Sequence, residues 1–194
     1  MTYATDKIRN IALLGHGSNG KTSLAESMLF LTGGTDRLGK ITDGNTVGDS
    51  DAEEIKRQIS ISLATMYAEY SNCKINILDT PGYFDFAGEV AEALRVADSG
   101  IIVTAAKEGV TVGLEKSWKY LNDLKLPCII YVSKIDEENG DFESAYATLR
   151  DKYGSSLCPM IAPIKNANGK VEGLVDLIHK KAFTVEGGKR KEIA

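Results

Sequence analysis

The residues Gly15-His16-Gly17-Ser18-Asn19-Gly20-Lys21-Thr22 carry the most specific chemistry in this chain, because they match G-x-x-x-x-G-K-[ST] at every fixed position. Glycines at that spacing let the backbone curl until its N–H groups converge on phosphate oxygens. A helix starting just after them adds unsatisfied N–H donors and a positive dipole end. Lys21 brings a point charge to β- and γ-phosphates, and the Thr22 hydroxyl is a ligand for Mg²⁺. Ser23, next in line, is counted with the nucleotide-contacting set. A chance glycine-rich turn is the bland alternative, and an apolar run before the motif and a helical face after it speak against that.

A second element, Asn76-Ile77-Leu78-Asp79-Thr80-Pro81-Gly82, is an apolar strand that ends in Asp-Thr-Pro-Gly. An acid at such a strand end holds magnesium, usually through water. Gly82 places a backbone N–H where a γ-phosphate comes close, an approach that a Cβ would block. A third element, Ser133-Lys134-Ile135-Asp136, follows another apolar run. The Asp136 carboxylate can accept from the two N–H groups on a guanine edge, while the Lys134 stem lies along the base; adenine presents the wrong pattern. Each short element alone also fits an ordinary turn, and it is their order along one chain that favours guanine nucleotide, GTP or GDP, with Mg²⁺.

Short apolar runs alternate with amphipathic stretches around these motifs, the pattern of βα units. Strands are expected at Arg9–Leu14, Ile59–Tyr70, Ile75–Leu78, Gly100–Ala105, Pro127–Val132 and Leu157–Ile164. Helical spacing follows Lys21 (Leu24, Met28, Leu31) and recurs at Val90/Leu94/Ala97, Leu114/Trp118/Leu121 and Phe142/Ala145/Leu149/Tyr153. The fold class is therefore α/β of the P-loop kind: a doubly wound, mainly parallel sheet with one antiparallel edge strand. The tail beyond Lys165 is less regular. The stretch from Asp43 to Glu54 approaches a calcium loop, with glycine sixth and glutamate twelfth. Val47 in fifth place has no side-chain oxygen, so a switch loop that orders around the nucleotide is the better reading.

A chain of 194 residues with 43% hydrophobic and 26% charged residues suits a single α/β domain. Its formal charge of −4 argues against general coating of nucleic acid, and no sequence-specific DNA binding is expected. No apolar stretch approaches the roughly 20 residues that span a bilayer, so no membrane partner is expected. Cys73, Cys128 and Cys158 form no CxxC pair and read as buried thiols of a cytoplasmic protein. His179, Trp118 and the Lys189-Arg190-Lys191 run are expected to be a surface histidine, a packing aromatic and a solvated face.

With these elements in place, the chain resembles the nucleotide-binding domain of translational GTPases, of the elongation factor G group and its paralogues. The likeness runs from Gly15-His16 through Glu53-Glu54-Ile55-Lys56-Arg57-Gln58-Ile59-Ser60-Ile61 and Asp79-Thr80-Pro81-Gly82-Tyr83-Phe84-Asp85-Phe86 to Ser133-Lys134-Ile135-Asp136. The resemblance implies GTP hydrolysis coupled to the ribosome, with Ser60 standing where the family's switch threonine joins Thr22 and Asp79 around magnesium. Lys21, Gly82 and Tyr83 are the catalytic candidates. Departures accompany it. Tyr83 stands where the family has a water-orienting histidine, and a phenol donates a hydrogen bond but is a poor proton acceptor at neutral pH. Hydrolysis is thus expected to be slow, and the alternative is a nucleotide-gated ribosome-binding module with little activity. Ser133 replaces an asparagine, Ser18 an aspartate and Gln58 a glycine. Ser144-Ala145 falls on a helical face too early to serve as the family's later Ser-Ala base support and reads as core packing. The expected division is a core over 1–165, lacking its last strand and helix, and the start of an inserted subdomain over 166–194, the whole monomeric.

Overall fold

A computed structural model describes residues 3–186 and 189–193. The side chains of residues 185, 186, 189 and 190 lie outside the described set, and with them most of the basic Lys189-Arg190-Lys191 run. By compactness the chain divides into Met1–Thr104 with Thr111–Ser133, and Ala105–Val110 with Lys134–Ala194.

The first unit is built on a five-stranded sheet. Its strands are β1 (Ile8–Leu14), β2 (Ala64–Tyr70), β3 (Cys73–Asp79), β4 (Ser99–Ala105) and β5 (Cys128–Ser133), in the order β2-β3-β1-β4-β5. β1 pairs in parallel with both β3 and β4, whereas β2 runs antiparallel to β3 at the edge. This is the mixed α/β sheet expected, and the reason is visible in β1: Ala12, Leu13 and Leu14 are almost wholly buried. A strand covered on both faces needs a continuous apolar run, not an alternating one. β2 starts five residues later than its apolar pattern, because Ile59–Leu63 is spent on side-chain-anchored loop.

Helix α1 (Lys21–Leu31) packs its Ala25 and Leu29 against Leu13, Met66, Ala68 and Ile77, which form the core on that side. Helices α3 (Ala87–Val96) and α4 (Val112–Asp123) bury Ala93, Leu94, Leu114 and Leu121. The short α2 (Ala52–Arg57) lies in the stretch expected to be switch loop. It exists because Asp51 and Glu54 form a reciprocal capping box, each carboxylate taking a backbone N–H at the helix start.

The second unit contains α5 (Phe142–Tyr153) and an antiparallel sheet of β6 (Ile161–Lys165), β7 (Val171–Asp176), β8 (Lys181–Glu186) and β9 (Lys189–Ile193) in chain order. The tail is therefore regular, contrary to its sequence pattern. The sequence boundary at 165/166 falls between β6 and β7, which pair through Ile161–Lys165. Ala145 is buried on α5, as core packing requires, and the Ser144 N–H donates to the Asp141 cap. Trp118 is half-buried, and His179 is exposed with its Nδ1 2.8 Å from Asp176 Oδ2. The cysteine expectation needs correction: Cys73 and Cys128 are half-buried and Cys158 is exposed, since it sits in the loop before β6 and not in an apolar run.

Leu13→Ala removes a side chain with no exposure from the centre of the sheet. It is expected to lower unfolding stability by about 2–5 kcal/mol in a urea titration. Leu31→Ala, at a site 79% exposed, should change it by about 0.5 kcal/mol or less. Equal effects would contradict this placement of the core.

Candidate functional site

The C-terminal ends of β1 and β3 adjoin at the point where the sheet order reverses, with β3 on one side of β1 and β4 on the other. Crevices at such switch points are where open α/β sheets bind ligands. The loop Gly15–Gly20 leaves β1 there and turns into α1. Gly15 has φ 131° and Gly20, the helix N-cap, has φ 92°, both in the region closed to most side chains. Asn19 is buried inside the loop, with its Nδ2 facing the Val103 carbonyl at 3.5 Å. Ser133 Oγ lies 2.7 Å from the Asn19 carbonyl and 3.2 Å from that of Thr104, so this hydroxyl braces the loop from the end of β5.

Lys21 is 6% exposed, and its Nζ donates to the carbonyls of His16 (2.9 Å) and Gly15 (3.2 Å). Burial lowers its pKa to about 8, against the pull of Asp79 and Asp49. Asp79, at 1% exposure, is raised to about 7 by burial, with the Thr22 hydroxyl and the Lys21 ammonium opposing. Neither Asp79 oxygen has a hydrogen-bond partner among the described residues. Thr80, next in line, is tied by its hydroxyl to the Leu13 carbonyl at 2.6 Å, which locks β3's end to β1.

Thr22 Oγ1 lies 3.1 Å from Ser60 Oγ, and Ser60 donates to Asp49 Oδ1 at 2.7 Å. Asp49 is itself buried, its pKa raised by that burial, and its second oxygen is also without a partner among the described residues. Thr22, Ser60 and Asp79, the three metal candidates, are thus joined by Asp49, a carboxylate that no sequence signal singles out. Hard oxygen donors that are buried and unsatisfied suit Mg²⁺, which takes few protein carboxylates and keeps water and phosphate as further ligands. The residues present therefore fit that ion. Among the described residues no cluster of three or more His, Cys, Asp or Glu side chains competes as a metal site.

The segment joining α1 to β2 is held by carboxylates. Glu26, buried on α1, accepts from the Val47 N–H at 2.6 Å. Glu54 Oε1 accepts from Ile61 and Ser62, and Glu89 Oε2 from Leu63. Glu26 is a lone acid among the apolar residues of α1 and Glu89 one of two on α3, and neither belongs to a motif, which is why they were not legible.

Gly82 closes the site. A Cβ there would stand 2.5 Å from both Gly17 N and Lys21 Nζ, so only glycine permits this crossing. Tyr83 follows, 38% exposed, with its ring centroid 6.4 Å from that of His16. The ring of Phe84 lies 6.0 Å from the same histidine, beneath Lys116 Nζ at 3.7 Å.

Lys134 and Asp136 belong to the second unit. Lys134 has φ 57° at the head of a turn closed by the Glu137 N–H on its carbonyl, and a second turn follows, closed by the Gly140 N–H on the Glu137 carbonyl. Glu137 pairs with both Lys134 and Lys107 at 3.4 Å. Asp136 is exposed and has no hydrogen bond or ion pair among the described residues, so its carboxylate is free to accept.

Comparison with known proteins agrees with this geometry. The profile of the elongation factor Tu GTP binding domain matches residues 6–189. Elongation factor G of Gluconobacter oxydans (strain 621H) is 38% identical over 185 residues, 95% of this chain and 26% of that protein. The elongation factor G-like protein of Mycobacterium tuberculosis (strain CDC 1551 / Oshkosh) is 33% identical over 183 residues, 94% of this chain and 25% of its own length. A crystal structure of a Thermus thermophilus protein superposes with a TM-score of 0.91 at 34% identity, covering 96% of this chain and 28% of that one. The chain thus spans about a quarter of the length of the relatives it matches.

A carboxylate that titrates near 7 when folded, and near 4 when unfolded, binds more protons in the folded state between those values. In protein stripped of nucleotide and magnesium, stability should fall as pH rises through that window. Lys21 acts only above about pH 8, outside it. Asp79→Asn should flatten the decline by on the order of 2–4 kcal/mol in chemical unfolding at about pH 5 and 7.5. An unchanged slope would show that Asp79 is not held as described.

Proposed function

Since the chain belongs to the elongation factor Tu GTP-binding domain family, we propose that it binds magnesium–GTP and hydrolyses it to GDP and phosphate, as the nucleotide-driven part of a factor acting on the ribosome. The observation that carries this is a set of buried charges, Lys21 at the start of α1, Asp79 at the end of β3 and Asp49 beside the Thr22 and Ser60 hydroxyls, in which the carboxylates of Asp79 and Asp49 keep oxygens with no hydrogen-bond partner among the described residues. Such a set is costly unless a phosphate–metal complex completes it.

The loop N–H groups of Gly15, His16, Gly17, Ser18, Asn19 and Gly20, with those of Lys21, Thr22 and Ser23, cradle the phosphates. Lys21 counters the charge that builds on the transferred phosphoryl group. Thr22, Ser60 and Asp79 would hold Mg²⁺, with Asp49 orienting Ser60. When bound, the ion would help neutralise the charge that develops on the phosphates. The Gly82 N–H faces the γ-phosphate, and the Tyr83 hydroxyl orients the attacking water. Because a phenol cannot take the water's proton at neutral pH, turnover is slow without a partner. Asp136 accepts from the guanine edge while Lys134 lies along the base. Ser133 serves the base indirectly, by fixing Asn19.

The protein is proposed to be cytoplasmic and monomeric over these residues, with 166–194 opening a subdomain inserted into the core. No helix among the described residues is long and apolar enough to cross a membrane.

Asp136→Asn is expected to weaken GTP about 10- to 100-fold and to shift preference toward xanthine nucleotide, measured by competition binding. Unchanged nucleotide choice would refute the base assignment. Tyr83→Phe should slow single-turnover hydrolysis in the presence of ribosomes, and an unaltered rate would remove the phenol from the mechanism.

A further inference from the structure

The phosphate-loop pattern fixes glycine at its first and sixth positions and leaves the third free. Here the third is Gly17, and its backbone is not in the left-handed region, unlike Gly15 and Gly20. The path of the loop therefore does not require glycine at this position. The neighbour of Gly17 does. A Cβ on Gly17 would lie 2.9 Å from Cε2 and Cζ of Tyr83 and 3.3 Å from Cδ2, so the three nearest atoms all belong to one aromatic ring. The residue before that tyrosine makes the same approach from its backbone, since Gly82 stands against Gly17 N.

We infer that Gly17 is a positioning residue for Tyr83: its missing side chain is the seat on which the ring lies across the phosphate loop. This rests on the function proposed above, in which the Tyr83 hydroxyl orients water, and it adds what sets that hydroxyl's place. An aromatic ring has only two side-chain torsions, so fixing its face against the loop fixes where its hydroxyl points. The ring is 38% exposed, faces His16 at 6.4 Å between centroids and borders a cleft of about 40 Å³, which leaves it room to shift when its seat is filled. Any side chain at 17 displaces the ring while leaving the backbone of the loop free to keep its course. A tyrosine at 83 and a glycine at 17 thus form one unit, and neither is interchangeable without the other.

The test uses Gly17→Ala, Tyr83→Ala and the double variant in the 194-residue chain. With ¹³C-labelled tyrosine, the Tyr83 ring signals are assigned by their loss in Tyr83→Ala. Gly17→Ala should move those signals and leave the other tyrosines in place. In single-turnover hydrolysis at saturating GTP, Gly17→Ala should cost about tenfold when Tyr83 is present. In the Tyr83→Ala background the same change should cost about twofold or less, the non-additivity of a contacting pair. Unmoved Tyr83 signals, or an equal loss in both backgrounds, as general damage to the loop would give, overturn the inference. A wild-type chain without GTP hydrolysis would refute the proposed function instead, and the tyrosine signals alone would then decide the seat.

Discussion

The rest of this structure depends on a cost: the Lys21 ammonium at the start of α1 and two carboxylates, Asp79 at the end of β3 and Asp49 in the segment before α2, are buried without enough partners among themselves. Burial lowers Lys21 to about 8 and raises Asp79 to about 7, so desolvation outweighs their mutual attraction. A fold tolerates such a site only where the surrounding backbone is rigid and where a charged ligand supplies what is missing. β1 and β3 provide the rigidity, in register from Ile8↔Lys74 to Leu13↔Asp79, and the start of α1 provides the free N–H groups.

Other contacts become intelligible from that constraint. Thr80 ties β3 to the Leu13 carbonyl, and Ser133 ties β5 to the phosphate loop through Asn19, so three strands converge on one turn. Glu26, Glu54 and Glu89 bring the backbone of the α1–β2 segment onto the core, which delivers Ser60 and Asp49 to Thr22. These are hydrogen bonds from backbone N–H groups to carboxylates, stronger than neutral ones. The segment is therefore clamped at a few acids, and no apolar side chain between Leu29 and Met66 is fully buried among the described residues, a construction suited to rearrangement around a ligand.

The parallel strands were legible because burial on both faces demands unbroken apolar runs, and the phosphate loop because several positions are dictated by close backbone approach. The β2 strand was also legible from its uneven alternation, and one antiparallel edge strand was expected; that β2 is that strand is seen only in its pairing with β3. What escaped had weaker signatures. Helix α2 has one buried residue, Glu54, so no apolar periodicity announces it; its capping box, Asp51 to Glu54, was the available signal. Strands β7 to β9 are short and interspersed with lysine and glycine, a composition that reads as loop until the ladder is seen. Asp49 and Glu26 look like solvated acids until the fold buries them. Ser133 stood in the base motif in place of the asparagine of the resembling family, whereas its hydroxyl faces the loop carbonyl.

Calorimetric titration of this chain with GTP, GDP and ATP, each with and without magnesium, tests the buried charged site and its base reader together. If Asp136 accepts from the base and Thr22, Ser60 and Asp79 hold the ion as proposed, guanine nucleotides should bind in preference to ATP and magnesium should strengthen them. Equal affinity for ATP, or guanine binding indifferent to magnesium, would contradict this assignment.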